Sequence, residues 1–277
     1  MDCGESCVRQ KKRRCCLIFC VASVLLVVVL AVVWTLVLRQ EKGQVQPVFF
    51  ARCKTFTGYD CQALWDAFQK AYVQRDHCDV PMEAYDPLIA AAPVEPACNT
   101  VMLWSKTKDL VHKFTEKNKC FVTLEDTVLG FVLNVNGLTW CGKKGSNKTF
   151  TVGCPKWTDC DNNPVRSFWN RASAAFADAA CGDVTVMLNG SIDVPVTPDS
   201  TLRRIEVKRL SPPRVKSLTV ILVIQENSST GTNCANASLK DVRKDLDRRI
   251  KYKCKEVIES QIQECIDSPR NSCGPCW

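Results

Sequence analysis

Acidic residues with apolar neighbours are the side chains of this 277-residue sequence that are best suited to chemistry. Glu206 stands between Ile205 and Val207, and Glu125 and Asp126 are adjacent within the stretch 123–127, TLEDT. An acid flanked in this way either faces solvent on a half-exposed strand or is held in a cleft. In a cleft, a carboxylate can stabilise positive charge that develops on a substrate. The pattern leaves both alternatives open.

Two tryptophans could accompany such an acid. Trp104 and Trp169 lie on segments that the residue spacing predicts to be helical, where they either stack a planar ligand or pack in the core. The sequence has no GxSxG or HExxH motif and no glycine-rich phosphate loop, and its histidines are His77 and His112. Taken singly, these residues do not define a function.

The elements that must position these residues follow from the spacing of apolar side chains. Helical spacing predicts helices at 61–72 and 103–114 and a third that opens at Asn163–Pro164 and buries Phe168 and Phe176. Short apolar runs predict strands at 184–188, 205–207 and 215–224, and a capped helix begins at Ser238. The order is helices first, then strands alternating with helices.

Cysteine usage indicates an oxidising compartment. Fourteen of the nineteen cysteines follow residue 40, an even number that allows seven disulfides. Zinc is the competing explanation, but the short spacing of Cys273 and Cys276 is not repeated elsewhere, so we predict no metal. Four glycosylation sequons, a further sign of an extracellular face, begin at Asn147, Asn189, Asn227 and Asn236.

The N-terminal segment predicts a membrane anchor. Residues 17–38 carry no charge and are long enough to cross a bilayer core of roughly 30 Å, whereas the apolar region of a cleaved signal peptide is shorter. Lys11 to Arg14 precede the segment and a single Arg39 follows it, which places the N-terminus in the cytosol. We therefore predict a tail at 1–16, a transmembrane helix at 17–38 and a stalk at 39–50.

The charge distribution argues against nucleic-acid binding. The formal net charge is +8, of which the first sixteen residues contribute +3 through five basic and two acidic side chains. The remainder is mixed charge without a long run of Lys or Arg, so no nucleic-acid partner is predicted.

Taken together, these segments resemble the family of ADP-ribosyl cyclase and cyclic ADP-ribose hydrolase ectoenzymes, especially its vertebrate leukocyte transmembrane member. The resemblance runs from about Ala51 to Cys273. The blocks that carry it are LWSKTKDLVHKF at 103–114, TLEDT at 123–127, LTWCG at 138–142, DCDNNPVRSFWNRASAAFADAAC at 159–181, VMLNGS at 186–191 and STLRRIEV at 200–207.

The resemblance implies roles for single residues. Glu206 matches the catalytic glutamate. Glu125 and Asp126 match the acidic pair that contacts the nicotinamide end of the substrate and influences whether the intermediate is hydrolysed or cyclised. Trp104 and Trp169 match the aromatic residues that position the substrate. Phosphate and ribose contacts fall at Ser105, Lys106 and Thr201.

The resemblance also implies a disulfide framework. Its pairs are Cys53–Cys61, Cys78–Cys160, Cys98–Cys181, Cys141–Cys154, Cys234–Cys254 and Cys265–Cys273. Cys120 and Cys276 are additional to these twelve, and we hypothesise that they form a seventh bridge that ties down the C-terminus.

With the order of elements, the resemblance predicts an α+β ectodomain at 51–277 with the active site between two lobes. The helical lobe covers about 51–97 and 123–180. The other lobe covers about 98–122 and 181–277 and holds a small parallel sheet flanked by helices.

The activity that the resemblance implies is that of a plasma-membrane ecto-NAD glycohydrolase with minor cyclic ADP-ribose synthesis and hydrolysis. NAD would be a substrate, so no cofactor is predicted, and a homodimer is possible. The alternative is a cell-surface receptor or adhesion protein on the same scaffold with weak or no catalysis. The enzyme is favoured over the receptor because the sequence retains all four of the matching site residues: Glu206, Trp104, Trp169 and Glu125.

Overall fold

The computed structural model describes residues 25–29, 45–134, 137–228, 232–269 and 276–277. Val45–Trp277 forms one compact unit, and residues 25–29 are helical. Among the described residues, no helix combines the length and the apolar character that a membrane crossing requires. The predicted tail and most of the predicted transmembrane helix at 17–38 lie outside the described residues, so the anchor stays a prediction.

The first part of the compact unit is helical. Helix α1 (Val45–Cys53) buries Val45 and Phe49, so the stalk predicted at 39–50 is wrong over its last six positions. Helix α2 (Cys61–Lys70) begins where the Asp60 carboxylate accepts hydrogen bonds from two backbone amides of the first turn. A 3-10 turn (Met82–Tyr85) and helix α3 (Asp86–Ala91) follow.

Helix α6 (Pro164–Ala179) connects this helical part to the sheet. Asn163 caps it and Pro164 occupies its first position, as the sequence predicts. Its buried Phe168 packs edge-on against Tyr85 at 5.5 Å between ring centroids. The Tyr85 hydroxyl in turn donates to the carbonyl of Pro164 at 2.9 Å, so packing and hydrogen bonding fix the start of the helix together.

A four-stranded parallel sheet lies at the centre. Its strands are β1 (Met102–Ser105), β4 (Gly182–Asn189), β5 (Val215–Ile224) and β6 (Lys251–Ile258), in the order β1-β4-β5-β6. Because side chains alternate across a strand, Val220 and Leu222 face the core that α6 covers. Ile221 and Val223 face a second hydrophobic cluster on the other side of the sheet. That second cluster is completed by α4 (Lys108–Lys117) and α9 (Glu259–Asp267).

The remaining elements are short. Helix α5 (Val128–Leu133) precedes an antiparallel hairpin of β2 (Cys141–Lys143) and β3 (Ser146–Phe150). A π-helix (Leu202–Glu206) runs into helix α7 (Val207–Arg209), and α8 (Ala237–Asp245) separates β5 from β6. The α+β class with a small parallel sheet flanked by helices is confirmed, and the boundaries of two lobes stay a prediction.

Two local predictions are wrong. Trp104 was expected on a helix at 103–114, but it lies on strand β1, and the helix begins at Lys108. The predicted strand at 205–207 is the end of the π-helix and the start of α7, so Glu206 is helical. In both places the short apolar run fits either period. Pairing with β4 makes the segment of Trp104 a strand, whereas 205–207 is helical and belongs to none of the described strands.

The disulfides correct the predicted framework at the C-terminus. Cys276 is fully buried in the cluster beneath α9 and bonds to Cys265, with 5.9 Å between their Cα atoms. The pairs Cys265–Cys273 and Cys120–Cys276 are therefore wrong, although Cys120 is itself disulfide-bonded. The other bridges join the pairs that the resemblance implies: Cys53–Cys61, Cys78–Cys160, Cys98–Cys181, Cys141–Cys154 and Cys234–Cys254.

Candidate active site

A cleft of about 450 Å³ opens at the carboxyl end of strand β1, between β1 and helix α6. Ligands of parallel sheets bind beyond the carboxyl ends of the strands, so this is where a site is expected. The cleft brings together the predicted site residues with one exception. Its lining includes Trp104, Ser105, Lys106, Glu125, Trp169, Thr201 and Glu206.

Glu206 is the buried carboxyl group of the cleft. It ends the π-helix, a rare conformation that is often found at functional sites, and is 8% exposed. Burial raises the pKa of Glu206 to about 8, a hydrogen bond from Ser173 on α6 partly offsets that shift, and the charge of Glu125 adds to it. This carboxyl group therefore keeps its proton to a much higher pH than an exposed glutamate does.

Glu125 lies on a 3-10 turn (Leu124–Asp126) and accepts a hydrogen bond from the Trp104 indole, with 3.1 Å between Nε1 and Oε2. The turn is held by close packing against α5. A Cβ atom on Gly130 would come within 2.0 Å of the carbonyl oxygen of Leu124, so only glycine allows this approach.

Asp126 is the exception among the predicted site residues. Its Oδ2 accepts hydrogen bonds from the backbone amide and the hydroxyl of Thr123, at 2.7 and 2.9 Å, which closes a capping box. The residue is exposed and does not line the cleft. The structure thus gives Asp126 a capping role, and its predicted substrate contact stays a prediction.

Aromatic rings form much of the cleft wall. Trp169 extends from α6 and packs edge-on against Phe168 at 5.2 Å, so it is anchored in the core and open to the cleft. Trp157, which sequence reasoning missed, also lines the cleft and is 43% exposed. It lies between Cys154 and Cys160, both disulfide-bonded, a position that could have drawn attention to it.

The polar rim of the cleft carries a cation. Lys106 follows strand β1 with a φ of 59°, a left-handed conformation that is unusual for a lysine, and its Nζ donates to the carbonyl of Val194 at 2.9 Å. Ser105 and Thr201 supply hydroxyl groups at the same rim. Ser173, Ser200 and Asn134 are further polar lining residues that the sequence did not single out.

The π-helix that carries Glu206 is fixed from the outside by Arg203. Its Nε lies 2.7 Å from Oδ2 of Asp245 and its Nη1 lies 3.1 Å from Oδ2 of Asp241, both carboxylates belonging to α8. The arginine side chain is only 17% exposed. These ion pairs connect α8 to the segment that positions the buried carboxyl group.

Metal ligation has little support in the described part of the chain. The group of side chains there with suitable spacing is Asp76, His77 and Cys78, and Cys78 has no free thiolate because it is bonded to Cys160. The sequons lie elsewhere on the surface. Asn147 and Asn227 are exposed, whereas Asn189 and Asn236 are half-buried, Asn236 as the cap of α8.

A buried carboxyl group among indole rings, beyond the end of a parallel strand, defines a site for a nucleotide-sized ligand. The chain belongs to the ADP-ribosyl cyclase family of enzymes, whose family model matches residues 42–274.

Relatives with this family name are similar over most of their length. ADP-ribosyl cyclase/cyclic ADP-ribose hydrolase 1 of Mus musculus is 31% identical over 81% of this chain and 77% of its own. The protein of the same name from Oryctolagus cuniculus is 30% identical over 92% of this chain and 91% of its own.

Solved structures of such proteins share the fold. A structure of porcine CD38 with a covalent intermediate, ribo-F-ribose-5'-phosphate, has a TM-score of 0.71 and 33% identity, covering 78% of this chain and 96% of that one. Aplysia cyclase in complex with the substrate NGD and the product cGDPR has a TM-score of 0.71 and 28% identity, covering 84% of this chain and 96% of that one.

Proposed function

We propose that this enzyme cleaves the bond between nicotinamide and ribose in NAD, with Glu206 as the catalytic residue. The observation that carries the proposal is the position of Glu206, a buried carboxyl group at the base of a cleft whose walls hold Trp104 and Trp169. The main products would be nicotinamide and ADP-ribose, with minor formation and hydrolysis of cyclic ADP-ribose.

The reaction needs only one carboxylate at the anomeric carbon. Nicotinamide leaves from a cationic pyridinium and becomes neutral, so no general acid has to protonate it. Positive charge develops on the ribose, and a carboxylate in a water-poor cleft stabilises that charge or traps the ribosyl group covalently. Porcine CD38 with its covalent intermediate supports the trapping step by analogy.

Substrate binding would ionise Glu206. Burial is the main cause of the raised pKa of about 8. A pyridinium ring that enters the cleft brings a positive charge close to the carboxyl group, which favours its ionised form and lowers its pKa. The proton leaves as the cation binds, so the carboxylate becomes available when the substrate is in place.

The lining of the cleft offers contacts to the nicotinamide, ribose and phosphate parts of a dinucleotide. Its volume of about 450 Å³ lies within the range of roughly 300 to 1,000 Å³ that is usual for small-molecule sites. Trp104 and Trp169 can stack the planar nicotinamide. Ser105, Lys106 and Thr201, at the rim, would contact phosphate and ribose. The Aplysia cyclase complex with NGD and cGDPR supports this class of ligand.

Glu125 would influence the fate of the ribosyl intermediate. Attack by water gives ADP-ribose, and attack by the adenine ring gives cyclic ADP-ribose. Glu125 carries a charge at the cleft wall and is held by the Trp104 indole. A charged group there keeps water in the cleft, which favours hydrolysis.

The location that we propose is the outer face of the plasma membrane, in a type II orientation. The disulfides of the compact unit require an oxidising compartment. The positively charged residues before segment 17–38 and the sequons support the same orientation.

The test is the product profile of the full chain in detergent. NAD is incubated with the wild type and its Glu206→Gln variant, and nicotinamide, ADP-ribose and cyclic ADP-ribose are separated by chromatography. We expect the variant to lose about 100-fold or more of the rate of nicotinamide release. Glu95→Gln, on an exposed loop away from the cleft, is the matched control. A folded wild type that releases no nicotinamide would reject the proposal and favour the receptor alternative.

A further inference from the structure

A second concave surface lies at the opposite end of the sheet from the cleft. It is a groove of about 530 Å³ at the amino ends of β4, β5 and β6, and we call it the basic groove. Its lining consists of Asp183, Pro212, Pro213, Val215, Lys216, Ser217, Arg249, Lys251 and Lys253. None of these residues lines the catalytic cleft.

The cations of the basic groove exceed its acids. Lys216, Lys251 and Lys253 are exposed, and none of them makes an ion pair or a side-chain hydrogen bond with the described residues. Arg249 is bonded to Asp247 at 2.8 Å, so that pair is close to neutral. Asp183 accepts a hydrogen bond from Ser217 at 2.6 Å and offsets only one of the three lysines.

Two of the three lysines form a row. Lys251 and Lys253 alternate along β6 and share a face, about 7 Å apart. In the register with β5, Lys251 lies opposite Ser217 and Lys253 lies opposite Thr219. These partners are small and uncharged, so they neither neutralise the two lysines nor cover them. Lys216, on β5, directly precedes Ser217, so its side chain leaves the strand on the other side of the sheet from the two lysines of β6. It lines the groove from the amino end of the sheet and supplies the third cation there.

A simpler explanation for lysines on an edge strand is that they prevent pairing with another sheet. That explanation covers Lys251 and Lys253, because β6 is an edge strand. It does not cover Lys216 on the inner strand β5, nor the recess between the loop of Pro212 and Pro213 and strand β6.

We propose that the basic groove binds a linear sulfated polysaccharide. A chain with anionic groups on successive sugars matches a groove in which two unpaired lysines follow one another along β6 and a third lies at the end of the sheet. The disulfides indicate a protein that matures in an oxidising compartment, where sulfated glycans rather than nucleic acids are the abundant polyanions. A concave recess fits a narrow chain better than it fits a flat lipid surface.

The test compares two triple variants of the full chain on immobilised heparin. Lys216→Gln/Lys251→Gln/Lys253→Gln removes the three lysines of the groove. The control, Lys54→Gln/Lys70→Gln/Lys148→Gln, removes the same charge from exposed sites outside the groove. We expect heparin affinity to fall roughly tenfold in the groove variant, as three exposed ion pairs predict, and much less in the control. Both variants should shift equally on a plain sulfonate cation exchanger.

Three outcomes would overturn the proposal. Equal losses of heparin affinity in both variants would show that only net charge matters. Competition by desulfated heparin as effective as that by heparin would show that sulfate is not recognised. Binding to phosphatidylserine vesicles that depends on the groove lysines, without such dependence on heparin, would assign the groove to a lipid surface. The rate of nicotinamide release should be unchanged in the groove variant, so this test is separate from that of the proposed function.

Discussion

The indole of Trp104 on strand β1 donates a hydrogen bond to the Glu125 carboxylate on the 3-10 turn, 3.1 Å away. The two residues are 21 positions apart in the sequence, and their contact joins two walls of the cleft. The same tryptophan that can stack the substrate therefore also orients the acid that would control access of water.

This contact predicts coupled effects on the product ratio. Glu125→Ala should raise the fraction of cyclic product, because the cleft wall loses the charge that holds water. Trp104→Phe keeps a ring but removes the donor, so it should shift the ratio in the same direction by less. Because the residues act as a unit, the double variant should go little beyond Glu125→Ala. Chromatography of the products from NAD measures all three, and additive shifts would show that the hydrogen bond is irrelevant.

The raised pKa of Glu206 predicts the pH dependence of the reaction. If the ionised carboxylate is the active form, kcat/KM for NAD should rise about tenfold per pH unit up to about pH 8 and then level off. For kcat, which reports the bound complex, the same rise should end at a lower pH, since the substrate cation lowers the pKa. Initial rates across a pH series test this, and a kcat/KM that is flat from pH 6 to 9 would contradict it.

The same group should make the fold less stable as pH rises. A carboxyl group whose pKa is raised by folding binds its proton more tightly in the native state than in the unfolded chain. Stability therefore falls between the ordinary pKa of 4.5 and about 8. The slope is at most about 1.4 kcal/mol per pH unit. Glu206→Gln should remove this slope and be the more stable protein at pH 8, as measured by thermal unfolding in a pH series. Glu95→Gln should retain the slope of the wild type.

Arg203 is predicted to act as a positioning residue. Arg203→Ala removes both ion pairs to α8 and loosens the π-helix, at a cost of about 1 to 3 kcal/mol of stability. We expect kcat to fall more than KM rises, and the rise of kcat/KM to end at a lower pH because Glu206 becomes better hydrated. Arg203→Lys should recover part of kcat, since an ammonium reaches one carboxylate at a time. If Arg203→Ala loses stability but keeps the pH profile of the wild type, Arg203 has a purely structural role and does not position Glu206.

Disulfide mapping tests the last bridge. Cys120 is disulfide-bonded. We predict that its partner is Cys273, because the other cysteines that follow residue 40 belong to the pairs described above. Non-reducing peptide mapping should yield linked peptides that contain Cys120 and Cys273. Linkage of Cys120 to a second chain, or a free thiol at Cys273, would contradict this prediction.

Sequence patterns predicted the long, strongly periodic elements well. Helix α6 and strands β4 and β5 lie where the spacing of apolar residues placed them. Strand β6 was missed because its alternating lysines give it few apolar residues, so it lacks the apolar run by which the other strands were predicted. Such a composition is tolerated because β6 is an edge strand of the sheet. Short apolar runs around Trp104 and Glu206 were misassigned, since four or five residues fit both the helical and the strand period.

For the candidate site, the sequence supplied the acids but not their environment. It left open whether Glu206 faces solvent, and burial against α6 decides this. The different roles of Glu125 and Asp126 depend on the direction of two adjacent side chains in a 3-10 turn, which no periodicity specifies. Trp157 reaches the cleft through its position between two disulfide-bonded cysteines, a long-range effect of the fold.

Helix α6 presents two faces with different tasks. Phe168 and Ala172 are buried in the core, whereas Trp169 and Ser173 line the cleft from the same turns. Misalignment of the helix would disturb the core and the reaction centre together. Catalytic turnover is thus a direct reporter of native packing, and on heating it should disappear at the same temperature as the near-ultraviolet signal of the buried aromatic rings.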